Sequence, residues 1–153
     1  MSNAVAEKTD VLELTIEREF AHPPEAVFAA WTDEAALRKW MGPGEVVAPE
    51  SQMDAREGGL YIFPMITPDG KNPTVRGKIL EIVPNKKLRF SWAWDQEDGS
   101  SGQLMEVSLD FEETAAGTRL VLHHTNFIDA EARDHHNLGW VGCLVNLEDH
   151  LAL

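Results

Sequence analysis

The chain has 153 residues, 43% of them hydrophobic, and 26 acidic residues against 13 basic ones give a formal net charge of −13. That length supports one domain burying roughly 70% of its unfolded surface, and the negative field repels phosphate backbones and anionic bilayers, so neither nucleic acid nor a membrane is an expected partner. Cys143 is the only cysteine, which excludes an internal disulfide, a zinc–cysteine cluster or a redox pair within one chain.

The opening MSNAVAEKTD lacks the apolar core of a signal peptide, and no run approaches membrane-spanning length, so the cytoplasm is the expected location. Residues 1–10 read as a disordered segment or tag remnant, and 11–153 as a single domain. VLELTIEREF alternates, with Leu12, Leu14, Ile16 and Arg18 on one side and Glu13, Thr15, Glu17 and Glu19 on the other. That pattern predicts a half-buried first strand. HPPEAVFAAWTDEAALRKWMGPGE then carries two helix signals. Its prolines suit a helix start, and Asp33 suits the cap of a second short helix that closes at Gly42-Pro43. Val27, Phe28, Trp31, Leu37 and Trp40 give the pair an apolar side.

From residue 45 to 124 the chain reads as strands near 46–55, 60–67, 74–83, 87–94, 103–113 and 118–125. They are punctuated by EGG, PDGKNP, PNK, DQEDGSSG and TAAGT, all rich in turn formers. Short spacing with repeated reversals predicts an antiparallel meander. The period changes in DAEARDHHNLGWVGCLVNLEDHLAL, where Trp140, Leu144, Leu147 and Leu151 fall at helical spacing beside Leu138, Val141 and Val145. Asp129 is placed to cap that helix. The fold class is α+β.

Alternation assigns Tyr61, Phe63 and Met65, then Leu88, Phe90, Trp92 and Trp94, to the face that the last helix must cover. Met105, Val107, Leu109 and Phe111 join them, with Leu120, Leu122 and His124. A bent sheet and one helix touch along a ridge, so space is expected beside that contact. Bulky side chains near the open end then line it instead of filling it.

The segments PPEAVFAAWTD, LRKWMGP, DAREGG, VRGKILEIVPNKKLRFSW, GTRLVLHHTNF and LGWVGCLVNLEDHL occur in this order. Through them residues 14 to 151 resemble the activator of Hsp90 ATPase homolog 1-like family of the START/Bet v 1-like (SRPBCC) superfamily. The resemblance implies a helix-grip fold, in which a curved antiparallel sheet wraps a long C-terminal helix around an apolar cavity, with two short helices after the first strand. It also implies a small apolar or amphipathic ligand, and no cofactor or metal is expected. The activator itself has a preceding domain that does much of its chaperone binding, and 153 residues leave no room for one, which weighs against Hsp90 as a partner.

The candidate ligand-contacting residues are Trp40, Met41, Tyr61, Phe63, Met65, Trp92, Trp94, Met105, His124, Trp140 and Leu144. Trp92 reads first as core and second as cavity wall; for Trp94 both readings stand. Gly139 and Gly142 each cost the helix roughly 1 kcal/mol, offset by close packing or by headroom for a ligand. Arg56 is an anchor for an anionic ligand or half of a surface ion pair. His124 reads as a structural histidine bonded to nearby backbone, or as a general base. His123 points to the opposite strand face, and His135 and His136 diverge by about a hundred degrees on the helix, so no metal site is expected. No catalytic residue is assigned. A cyclase- or hydrolase-type enzyme using His124, and a co-chaperone-like or self-associating stress protein, remain as alternatives, and a homodimer stays open.

Overall fold

Strand β1 (Glu13–Phe20) is followed by helices α1 (Pro24–Thr32) and α2 (Glu34–Trp40), then strands β2 (Gln52–Met53), β3 (Leu60–Pro64), β4 (Thr74–Val83), β5 (Lys87–Trp94), β6 (Met105–Thr114) and β7 (Gly117–Thr125), and helix α3 (Ala130–Leu151). This computed structural model describes residues 12–153; the expectation for residues 1–10 lies outside the described residues. The strands form one seven-stranded antiparallel sheet in the order β1-β7-β6-β5-β4-β3-β2. The meander therefore closes by pairing the first strand with the last.

Alternation sets which side chains face α3. Leu14 stands opposite His124 and Ile16 opposite Leu122. Leu109 pairs with Leu122 and Phe111 with Leu120, while Phe90 pairs with Val107 and Trp92 with Met105. All of these except the half-buried Ile16 are buried. Arg18 shares this face, yet reaches α3 through an ion pair with Glu148.

The sheet bends where β4 crosses β5. A bulge between Ile79 and Glu81 adds one residue to β4, which sharpens the local twist. Two residues before Ile79, Gly77 lets the strands approach more closely than a side chain permits: a Cβ there falls 2.1 Å from the Ser91 carbonyl oxygen and 2.7 Å from the Tyr61 ring.

The region expected as a strand over 46–55 is mostly irregular. Only an isolated bridge from Val47 to Ile66 and the two residues of β2 pair with the sheet. Pro49 has no amide hydrogen to donate to a ladder, and the chain instead turns at 48–51. Ser51 donates to the Ala48 carbonyl from both its backbone N (3.2 Å) and its hydroxyl (2.8 Å).

The short helices close one end of the sheet. Asp33 caps α2 by accepting from the Ala35 amide at 3.2 Å. Trp31 and Trp40 meet edge to face at 4.8 Å, and Phe28 meets Phe111 of β6 at 5.3 Å. Asp129 caps α3 through the Ala132 amide at 2.8 Å. Trp140, Cys143, Leu144 and Leu147 bury the inner face of α3, where each leucine contributes about 2 kcal/mol of apolar burial. Leu138, Val141 and Val145, which the helical period placed beside that stripe, are exposed.

Candidate ligand-binding cleft

A cavity of about 630 Å³ lies between the β3–β5 end of the sheet and the middle of α3. Its floor is made by Trp92, Met65, Trp140 and Cys143, all buried. Pro43 and Val46 from the loop after α2 form one side, and Thr67 and Pro73 from the β3–β4 connection form another. Trp94, His135, His136, Leu138 and Gly139 complete the wall. Leu138 is 73% exposed and Trp92 only 3%, so the cleft runs from an open rim to a dry floor. Among the described residues, no lysine, arginine, aspartate or glutamate lines it.

The pairing of its polar atoms follows from elements that lie side by side. The Trp140 indole N–H donates to Nδ1 of His124 at 2.9 Å. In the neutral ring the hydrogen of His124 then sits on Nε2, which is buried without a partner. Phe127 stacks on the ring at 4.4 Å and Trp92 meets it edge-on at 5.7 Å. Burial, with His136 and His123 adding smaller repulsions, pushes its pKa down to about 2. His124 is therefore a neutral, hydrogen-bonded residue of the aromatic core, and its partner is an indole instead of the expected backbone group. The Trp92 N–H is likewise buried and unpartnered, a deficit of about 1–3 kcal/mol for each such group.

A second indole–imidazole pair sits nearer the rim. Trp94 donates from Nε1 to His136 Nε2 at 2.9 Å, and His136 Nδ1 donates to the Ala132 carbonyl at 2.8 Å. Both residues are half-buried. Burial lowers the His136 pKa against the opposing pull of the Ala132 carbonyl, and His135 lowers it further. Cys143 on the floor is pushed up to about 12 by burial, which leaves it an unreactive thiol.

Of the eleven candidates from sequence, Met65, Trp92, Trp94 and Trp140 come together on the cleft wall. Trp40, Met41, Tyr61, Phe63, Met105, His124 and Leu144 are buried in the packed core behind it. The Trp40 N–H is spent on the Ala30 carbonyl at 2.8 Å, and the Tyr61 hydroxyl donates to the Ser91 carbonyl at 2.5 Å. Sequence reasoning missed His136 and Cys143, although His136 lies one helical turn before Trp140 and Cys143 one turn before Leu147. That spacing was the available signal. It also missed Pro43, Val46, Thr67 and Pro73, which come from connections with no periodicity to read.

The two helix glycines serve different ends. A Cβ on Gly139 enters open space, whereas on Gly142 it falls 2.8 Å from the Pro43 ring. One gives headroom and the other close packing, against a loop and not against the sheet. Arg56 pairs with Asp54 at the surface, at 2.8 Å, away from the cleft. His123 meets Thr15 and Glu13 on the outer face of the sheet. Among the described residues, no group of three or more metal-ligating side chains gathers, and no helix is long and apolar enough to cross a membrane.

The family model described as Activator of Hsp90 ATPase homolog 1-like protein matches residues 21–152. The chain is similar to the AHSA1 protein of Silicibacter pomeroyi, at 33% identity and a TM-score of 0.83 over 92% of this chain and 97% of that one. A Chromobacterium violaceum protein is 26% identical with a TM-score of 0.79, over 90% and 95% of the two chains. An Arthrobacter aurescens protein, at 22% identity and a TM-score of 0.83 over 94% and 88%, shares the fold. No curated protein matches the chain.

Proposed function

Because the chain belongs to the activator of Hsp90 ATPase homolog 1-like family of the SRPBCC superfamily, a fold of ligand-binding type, we propose that it holds a small apolar or amphipathic molecule between its sheet and α3. The cleft carries this reading: about 630 Å³, within the size range of sites for small organic ligands, with a buried aromatic floor and an uncharged wall. Each 100 Å² of apolar ligand surface removed from water there contributes roughly 2.5 kcal/mol, before the cost of immobilisation. Met65, Trp92, Trp94 and Trp140 contact the ligand. The other seven candidates hold those four in place from behind. The setting is the cytoplasm.

Two observations favour binding over catalysis by His124. Its one lone pair is already engaged by the Trp140 N–H, and the ring is held neutral by burial, so a general base would first have to break a buried bond. An interaction module, co-chaperone-like or self-associating, calls for a filled interior, which this cleft is not. Its supporting feature is the exposed apolar row of Leu138, Val141 and Val145 on α3.

Native mass spectrometry of protein purified from its own host, with extraction of what co-purifies, tests the proposal. A small apolar molecule at stoichiometric occupancy is expected. Gly139→Leu, which projects a side chain into the open space beside α3, should keep the fold and lose the occupant. Equal occupancy in that variant would move the ligand elsewhere. No occupant, together with no binding of apolar probes in vitro, would overturn the reading.

A further inference from the structure

The cleft offers an incoming polar group one hydrogen-bonded pair of half-buried side chains, Trp94 and His136, whose bond it must replace. Trp94 lies at the end of β5 and His136 on α3, two elements whose side chains meet here in the 2.9 Å indole–imidazole bond and, deeper, in the Trp92–Trp140 ring contact at 4.9 Å. Apart from His135, which is exposed, the other polar side chains of the wall are committed elsewhere or shut in. Trp140 donates to His124, Thr67 donates its hydroxyl hydrogen to Asp69 at 2.6 Å, and the Trp92 N–H is buried.

What fits between Trp94 and His136 follows from their fixed roles. The Ala132 carbonyl holds the His136 hydrogen on Nδ1, so Nε2 presents a lone pair to an N–H donor. A carbonyl or ether entering here accepts from Trp94 and strands the His136 lone pair. An amide or amine N–H donates to His136 and strands the Trp94 N–H. A carboxylate only accepts, and among the described residues no lysine or arginine lines the cleft to neutralise it. A hydroxyl group both accepts and donates. It exchanges one hydrogen bond for two and leaves neither partner bare, provided the nitrogens part to roughly 5 Å, which is two ordinary hydrogen bonds about an oxygen.

We propose that the molecule this cleft takes carries a hydroxyl on its apolar body, accepting from Trp94 Nε1–H and donating to His136 Nε2. The inference rests on the binding reading above and narrows its ligand class to apolar alcohols and phenols. Trp94 and His136 are then the specificity-determining residues, while Trp92, Trp140 and Met65 supply unselective apolar contact.

Equilibrium dialysis of the full chain against 2-naphthol and 2-methoxynaphthalene separates the two ideas. The ether is the more apolar of this matched pair, so a cleft governed by apolar transfer alone binds it several-fold better. The hydroxyl pairing reverses that order: its net hydrogen bond is worth about fivefold, and the ether strands the His136 lone pair for about another fivefold, which together outweigh the methyl and leave 2-naphthol about fivefold tighter. Both probes binding with the ether equal or tighter would overturn the hydroxyl inference and leave the apolar cleft standing. Neither binding would overturn both. In His136→Phe the ratio of the two affinities should fall to one or invert, because the acceptor is gone; an undiminished preference for the naphthol there would also overturn the inference. If that variant does not fold, the wild-type ratio still decides.

Discussion

Gly139 and Gly142 stand three residues apart on α3, and replacing each with alanine should move stability in opposite directions. Alanine gains about 1 kcal/mol over glycine in a helix interior. At residue 139 nothing lies within 4 Å of the new Cβ, so the whole gain is kept and Tm should rise by about 2–4 °C for a chain of this size. At residue 142 the Cβ falls 2.8 Å from the Cβ and 3.3 Å from the Cα of Pro43. Those are stiff ring and backbone atoms, and the loop that carries them is pinned. Asn146 donates from Nδ2 to the carbonyls of Gly42 at 2.7 Å and Gly44 at 3.1 Å. Clearing the clash costs the strain of overpacking, about 1–3 kcal/mol, or the loss of those two bonds at about 1 kcal/mol each. Set against the helix gain, Gly142→Ala should lose up to about 2 kcal/mol net. Urea unfolding measures both variants, with unchanged m values as the sign that only stability has moved. A stabilised Gly142→Ala would mean that the 42–44 loop is not seated on the helix. A destabilised Gly139→Ala would mean that the headroom beside it does not exist.

Three further outcomes follow from the same contacts. The folded state keeps His124 neutral down to about pH 2, whereas the unfolded chain protonates it near 6.5; between those values the unfolded state binds more protons, so stability falls as pH falls, by about 2–3 kcal/mol at pH 4.5 from this residue. Urea midpoints at pH 7.5 and 4.5 should converge in His124→Gln, and a profile parallel to that of the wild type would refute the assignment. Tyr61→Phe removes a buried hydroxyl that donates to the Ser91 carbonyl, and should cost about 1 kcal/mol; a Tm equal to that of the wild type would deny the bond. Cys143, pushed up to about 12, should react with iodoacetamide at pH 8 roughly a thousandfold more slowly in the native protein than in concentrated urea, and comparable rates would place the thiol in water.

The strand faces were legible because alternation is a property of extended backbone, independent of what the sheet packs against. Tyr61, Phe90, Trp92, Leu109, Leu122 and His124 were assigned inward on that ground, and all are buried. Asp33 and Asp129 were legible as caps because a carboxylate just ahead of a helix has amide donors within reach. The strand expected at 46–55 misread a β-rich composition: Val46, Val47 and Ala48 suit a strand, but Pro49 turns the chain before a ladder forms. The apolar run of α3 overstated the covered stripe, since periodicity cannot say that Leu138, Val141 and Val145 stay exposed.

The sequence by itself determined the order of elements, the class of the fold and the composition of its interior, because those rest on local periodicity and the chemistry of turns and caps. Tertiary structure decided which of the inward residues see the cleft. Trp40, Tyr61 and Trp92 are alike in sequence terms, each a large aromatic on an inward face. Yet Trp40 is sealed by Trp31 and the Ala30 carbonyl, and Tyr61 by Phe63, Phe90 and Ser91. Trp92 lies under the stretch of α3 where Gly139 leaves a gap. Depth along a face depends on what stands opposite it, and that is set by the bend of the sheet at the β4 bulge and the line that α3 takes across it.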